Sequence, residues 1–99
     1  MAKMKMFSVY DEKAQAYMRP FMFSTYGQAT RAFSDGVNDP QSHMNKHYQD
    51  YSLYCIGEFD EETAALSPEC PVVLVCRASE FIERGVGSYA DREVLVNKA

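Results

Sequence analysis

The sequence predicts an α+β domain, a small antiparallel sheet of about four strands with two helices on one face. Three observations predict it. Side chains alternate at a period of two in "KMKMFSVY" and again in "YSLYCIGEF", as strands require. Apolar residues repeat at three and four between Tyr26 and Val37, the spacing of a helix face. Strand, strand, helix, strand, strand and helix follow one another without repeat or linker, and 99 residues suffice for one modest core.

In the first strand Met4, Met6, Ser8 and Tyr10 share one side, and Lys3, Lys5, Phe7 and Val9 the other. Phe7 and Val9 are the core residues, and the lysines hang off the strand's start. "DEKAQ" is a turn opened by Asp11, and "AYMRPF" returns as a second strand that Pro20 confines to an edge or ends. The helix carries its stripe on Tyr26, Ala29, Thr30, Phe33 and Val37. Thr25 and Gln28 stand at capping-box spacing, and Asn38 and Pro40 mark its stop. Arg31 lies off the stripe.

"QSHMNKHYQD" has no clear period and reads as a loop. Tyr51, Leu53, Cys55 and Phe59 share one face of a third strand, and Asp60 to Thr63 form a turn. A short fourth strand is expected at 64–66. After Pro71, "VVLVC" suits a strand, but Leu74, Val75, Ala78, Phe81 and Ile82 also fit one helical face. The preferred reading is a helix over 72–84, with Pro71 in its first turn and Gly85 as its cap. The domain is expected to span 1–85, and 86–99 to be a flexible tail.

No apolar run is long enough to cross a bilayer, and the N-terminus has no secretory pattern, so a cytosolic protein is expected. Cys55, Cys70 and Cys76 are an odd set without paired spacing. They are expected to be reduced core residues. His43 and His47 stand four apart, but no close cysteine pair accompanies them, so no metal is expected. Phosphate-binding glycine loops, nucleophile elbows and metalloprotease helices are absent, and the run Asp60, Glu61, Glu62 reads as a hydrated turn. Neither an enzyme nor a cofactor is expected.

Net charge is −4, which as a whole repels nucleic acid. The charge is uneven. Residues 1–38 carry five basic and three acidic groups, and residues 39–99 five basic and eleven acidic. Lys3, Lys5, Lys13, Arg19 and Arg31 are therefore the candidate phosphate contacts. Tyr17 and Tyr26 are the candidate stacking residues, with Tyr48 and Tyr54 also eligible. The alternative for the lysines is a sheet edge guarded by charge. A possible free edge also makes a homodimer an expectation.

Three stretches carry a resemblance: "KMFSVYDEKAQAYMRPF", "ATRAFSDGVND" and "DYSLYCIGEFDEET". They place Tyr10–Asp11, Pro20–Phe21, Arg31 and Phe33, Val37–Asn38, Tyr51 and Leu53, and Gly57 to Asp60 in order. This pattern resembles the small nonstructural protein, or fifth viral protein, of gokushovirus-type microviruses, single-stranded DNA phages. The match covers about residues 4–63. The resemblance implies a non-virion protein of the host bacterial cytoplasm that binds single-stranded DNA during viral genome replication or single-strand synthesis. The other expectation is an adaptor that engages the viral replication initiator or a host factor without touching DNA.

Overall fold

The computed structural model describes residues 3–82, so the tail expected at 86–99 and the cap expected at Gly85 lie outside the described residues. Its centre is β1 (Lys3–Asp11), whose alternation sends Phe7 and Val9 into the core. Asp11 then builds the turn, its Oδ1 accepting from the amides of Lys13 at 3.0 Å and Ala14 at 3.3 Å. The returning chain is two short strands, β2 (Ala16–Tyr17) and β3 (Phe21–Phe23), both antiparallel to β1. Their pairings are out of step by one residue, and the chain between them bulges through Met18 to Pro20. Ser8 stitches the bulge down: its hydroxyl donates to the Met18 carbonyl at 2.7 Å, which satisfies a buried polar group.

The helix α1 (Tyr26–Val37) forms where its stripe predicts, with Ala29, Phe33 and Val37 buried against the sheet. The Thr25 hydroxyl accepts from the Gln28 amide at 3.1 Å. The reciprocal bond goes to the amide of Ser24, one residue before the cap. The segment expected to be a loop contains a four-residue helix, α2 (His43–Lys46), and a 3-10 turn over Tyr48–Asp50. Its order is local chemistry. Ser42 caps α2, accepting from Asn45 at 3.1 Å while donating to the Gly36 carbonyl at 2.6 Å. Met44 packs on the core cluster.

The strand β4 (Tyr51–Asp60) buries Tyr51, Leu53 and Cys55 opposite Asp11, Val9 and Phe7. A register shift at Ile56 then turns the strand over. Phe59 is thereby paired with Met4 on the opposite face and is only half-buried, against the expectation that it shares the core face.

The largest departure follows. In place of a short strand at 64–66 and a helix over 72–84 there is one long strand, β5 (Leu66–Arg77), antiparallel to β4. The helical fit of Leu74, Val75, Ala78, Phe81 and Ile82 has another origin. β5 ends at Arg77, and a 3-10 turn over Ala78–Glu80 delivers Ala78, Phe81 and Ile82 to the core from beyond the strand. What decides the matter is the outer edge of β4, whose amides and carbonyls need a ladder partner that a helix cannot supply.

The sheet runs β2–β1–β4–β5, with β3 also on β1. The two helices of this α+β domain are α1 and α2, α1 covering one face of the sheet and α2 packed against α1. No described element covers the other face.

Cys55 and Cys76 are buried as expected, but Cys70 is exposed on β5. Burial, and then the nearby Glu80 carboxylate, push the Cys76 thiol up to about 11. Native protein treated with iodoacetamide is therefore expected to be alkylated first at Cys70, with Cys55 and Cys76 modified only on unfolding, as peptide mass spectrometry would read. The shift also has a sign in stability. A thiol raised from 9.0 to about 11 keeps its full contribution below the lower value and loses it as pH rises through the upper one. Cys76→Ala should flatten the loss of stability across that alkaline window.

Candidate nucleic-acid interface

Strand pairing decides which side chains reach the uncovered face. Residues directly opposite in an antiparallel pair share a face. Tyr10 on β1 stands opposite Tyr17 on β2 and Ser52 on β4, Tyr54 stands opposite Ser8 and Leu74, and Arg77 on β5 stands opposite Ser52. Four adjacent strands thus contribute Tyr17, Tyr10, Tyr54 and Arg77 to one skewed row on this face, Tyr54 standing two residues along β4 from Ser52, which is in line with the other three.

The three tyrosines touch one another. Ring centroids are 4.7 Å apart for Tyr10–Tyr17, 5.7 Å for Tyr17–Tyr54 and 6.4 Å for Tyr10–Tyr54, and the last two pairs are edge-to-face. Each ring therefore braces the others while Tyr17 remains 49% exposed. Beside them lies a hollow of about 160 Å³ where Arg77 meets Tyr10 and Tyr54, with Glu12 and Asp50 in the same wall. A second hollow of about 360 Å³ shares Gln49 and Asp50 with the first and gathers Lys13, Lys46, His47 and Tyr48. The arrangement offers flat aromatic surface, one guanidinium and a nearby pair of lysines. Carboxylates are close enough to temper both.

The residues singled out from sequence are divided by the fold. Tyr17 is in the row. Lys13 is at its margin, joined by Lys46. Lys3 and Lys5 occupy the other end of β1, opposite Asp60 and Glu58. Lys5 Nζ lies 4.0 Å from Glu58 and 5.5 Å from the Tyr26 ring centre, so its charge is already answered. Tyr26 stands on the helix-covered side with its ring edge-on to Phe7 at 5.8 Å. Arg19 borders an apolar groove between the β2–β3 bulge and α1, and Arg31 is exposed on α1. The five cations form no single patch. Lys5 and the turn that carries Lys13 are separated by most of β1, about 20 Å from Lys5 to Asp11 at 3.3 Å per residue.

Sequence reasoning left Tyr10, Lys46 and Arg77 out of the site and held Tyr54 only as eligible for stacking. The signal for Tyr10 was present, because the period of two already places it opposite Phe7 and Val9. Tyr54 alternates likewise with Leu53 and Cys55. Arg77 was hidden by the helical reading of 72–84. Among the described residues no group of three or more histidines, cysteines or carboxylates is placed to hold a metal ion. Nor does any described helix have the length and apolarity to cross a membrane.

The fold and this face define a class, a small open-faced α+β protein with an aromatic surface on its sheet. The family model described as "Phage ORF5 protein" matches residues 4–81, and the chain belongs to that phage family. No curated protein and no solved structure matches it.

Proposed function

We propose that this phage protein binds single-stranded DNA across the open face of its sheet, without catalysing a reaction. The contact row of Tyr17, Tyr10 and Tyr54 is the observation that carries the reading. Unpaired bases have free π-faces, and stacking on such rings contributes about 1–3 kcal/mol per base. Arg77, Lys13 and Lys46 then serve phosphates at the margin. Duplex DNA is a poor ligand for this surface because its bases are already stacked. The resemblance to gokushovirus-type proteins supports assigning the activity to the host bacterial cytoplasm, during viral genome replication or single-strand synthesis.

A second reading has its own support. Glu12 and Asp50 beside the row, on a chain of net charge −4, suit a basic protein partner such as the replication initiator. Titration of a labelled single-stranded oligonucleotide, followed by fluorescence anisotropy at low and moderate salt, separates the two. The DNA reading expects saturable binding with a shallow slope of log affinity on log salt. One to three phosphate contacts correspond to slopes between about −0.7 and −2. Absence of binding at tens of micromolar protein would overturn it and leave the adaptor.

A further inference from the structure

The open face is more apolar than an exposed sheet surface ought to be. Outside the tyrosine row, strand register places Met4, Met6, Met22, Phe59, Leu66 and Leu74 on it. Leu66 is 64% exposed, Met22 44% and Leu74 40%. Arg77 is the one charged residue that the strand pairings put there, in a chain that is 24% charged. Contiguous apolar surface of this kind marks an interaction site.

The edges of the sheet are poor places for association. On one side β2 and β3 are two and three residues long and are separated by Pro20. On the other, β5 contains Pro68 and Pro71, and its register breaks twice against β4. Short strands, prolines and bulges all discourage edge-to-edge pairing. The face is what remains.

We propose that a second copy of this chain covers the open face, sheet against sheet, and that single-stranded DNA competes with that copy for the tyrosine row. The competition rests on the DNA reading above; the dimer does not. Two such faces meet with little like-charge repulsion, because strand register places no carboxylate on the face, and Glu12 and Asp50 stand at its margin beside Arg77. Four strands about 4.8 Å apart and the span from Met4 to Tyr10 make a face of about 19 by 20 Å. Two copies thus bring together about 800 Å² in flat projection, and side-chain relief carries this toward the roughly 1,200 Å² at which specific interfaces begin. An interface at that lower bound is weak enough for a ligand to displace. The dimer then holds the rings out of water until DNA arrives, and apparent DNA affinity falls in proportion to the fraction of protein that is dimeric.

Sedimentation equilibrium of the full chain over a range of concentrations, with and without a short single-stranded oligonucleotide, tests this. The expected mass rises from 11.3 kDa toward twice that value as protein is concentrated, and saturating oligonucleotide returns the protein to one chain per complex. Leu66→Asp places a charge in the face, clear of the tyrosine row and on a side chain whose exposure spares the fold. It should remain at 11.3 kDa throughout, melt at the temperature of wild type diluted to monomer, and bind oligonucleotide with an affinity that does not depend on protein concentration. A wild-type mass fixed at 11.3 kDa overturns the proposal, as does a dimer that binds the oligonucleotide and stays dimeric. A Leu66→Asp-sensitive dimer that binds no DNA even when diluted to monomer supports the face-to-face contact and overturns the DNA reading instead.

Discussion

Replacing Tyr54 with alanine is expected to weaken single-stranded DNA binding by about 5- to 150-fold, the equivalent of about 1–3 kcal/mol for one lost stacking platform. Tyr54, like Tyr10, contacts both other rings and shares the hollow with Arg77. Its removal takes away one surface and the brace of two more. Tyr54→Phe keeps the ring and should retain most of the affinity. Tyr26→Ala provides the control, since Tyr26 packs on Phe7 on the covered side and should leave DNA affinity unchanged. Oligonucleotide titrations of the three variants, each checked by circular dichroism, would measure this. Equal affinities for wild type and Tyr54→Ala would remove the row from the interface.

Gly57→Ala is expected to lower the unfolding free energy by about 3 kcal/mol, the upper end of the cost of overpacking. Gly57 is where β1, β4 and β5 draw together, opposite both Met6 and Pro68. A Cβ there would lie 2.5 Å from the Ser67 carbonyl oxygen and 3.2 Å from the Pro68 Cα. Both neighbours are backbone, so relief requires the strands themselves to separate. Gly36→Ala makes the useful comparison. Its Cβ would meet the terminal methyl of Met44 at 2.7 Å, the free end of a flexible side chain. Helix propensity there gains about 1 kcal/mol from alanine over glycine, so the variant should be near neutral. Urea unfolding of both proteins reads the difference, and equal midpoints would refute the close-packing account.

The helix α1 was legible because every signal in it is local. Its stripe, its Thr25 cap and its Asn38 stop lie within one stretch of chain, and neighbouring bonds make them. The strands β1 and β4 were legible for a similar reason, since alternation belongs to each strand by itself. What failed was β5. Its apolar run fits two periodicities, and the choice was made by a partner many residues away, the unpaired edge of β4. Phe59 failed for a related reason. One extra residue at Ile56 moves it across the sheet, and a register shift is visible only against the opposing strand.

The candidate site divides along the same line. Which residues could stack or carry charge was readable in the chain. That Tyr10, Tyr17 and Tyr54 would meet, and that Lys5 would be answered by Glu58, was not. Composition and periodicity determined the class of fold, the helix and the alternating faces of two strands, because these depend on neighbours along the chain; the family resemblance rested on motifs matched in order. Tertiary structure alone decided the fate of residues 66–77, the side on which each aromatic emerges and the company each charge keeps. Those outcomes are set by strand pairing between distant segments, which one residue of slip reverses.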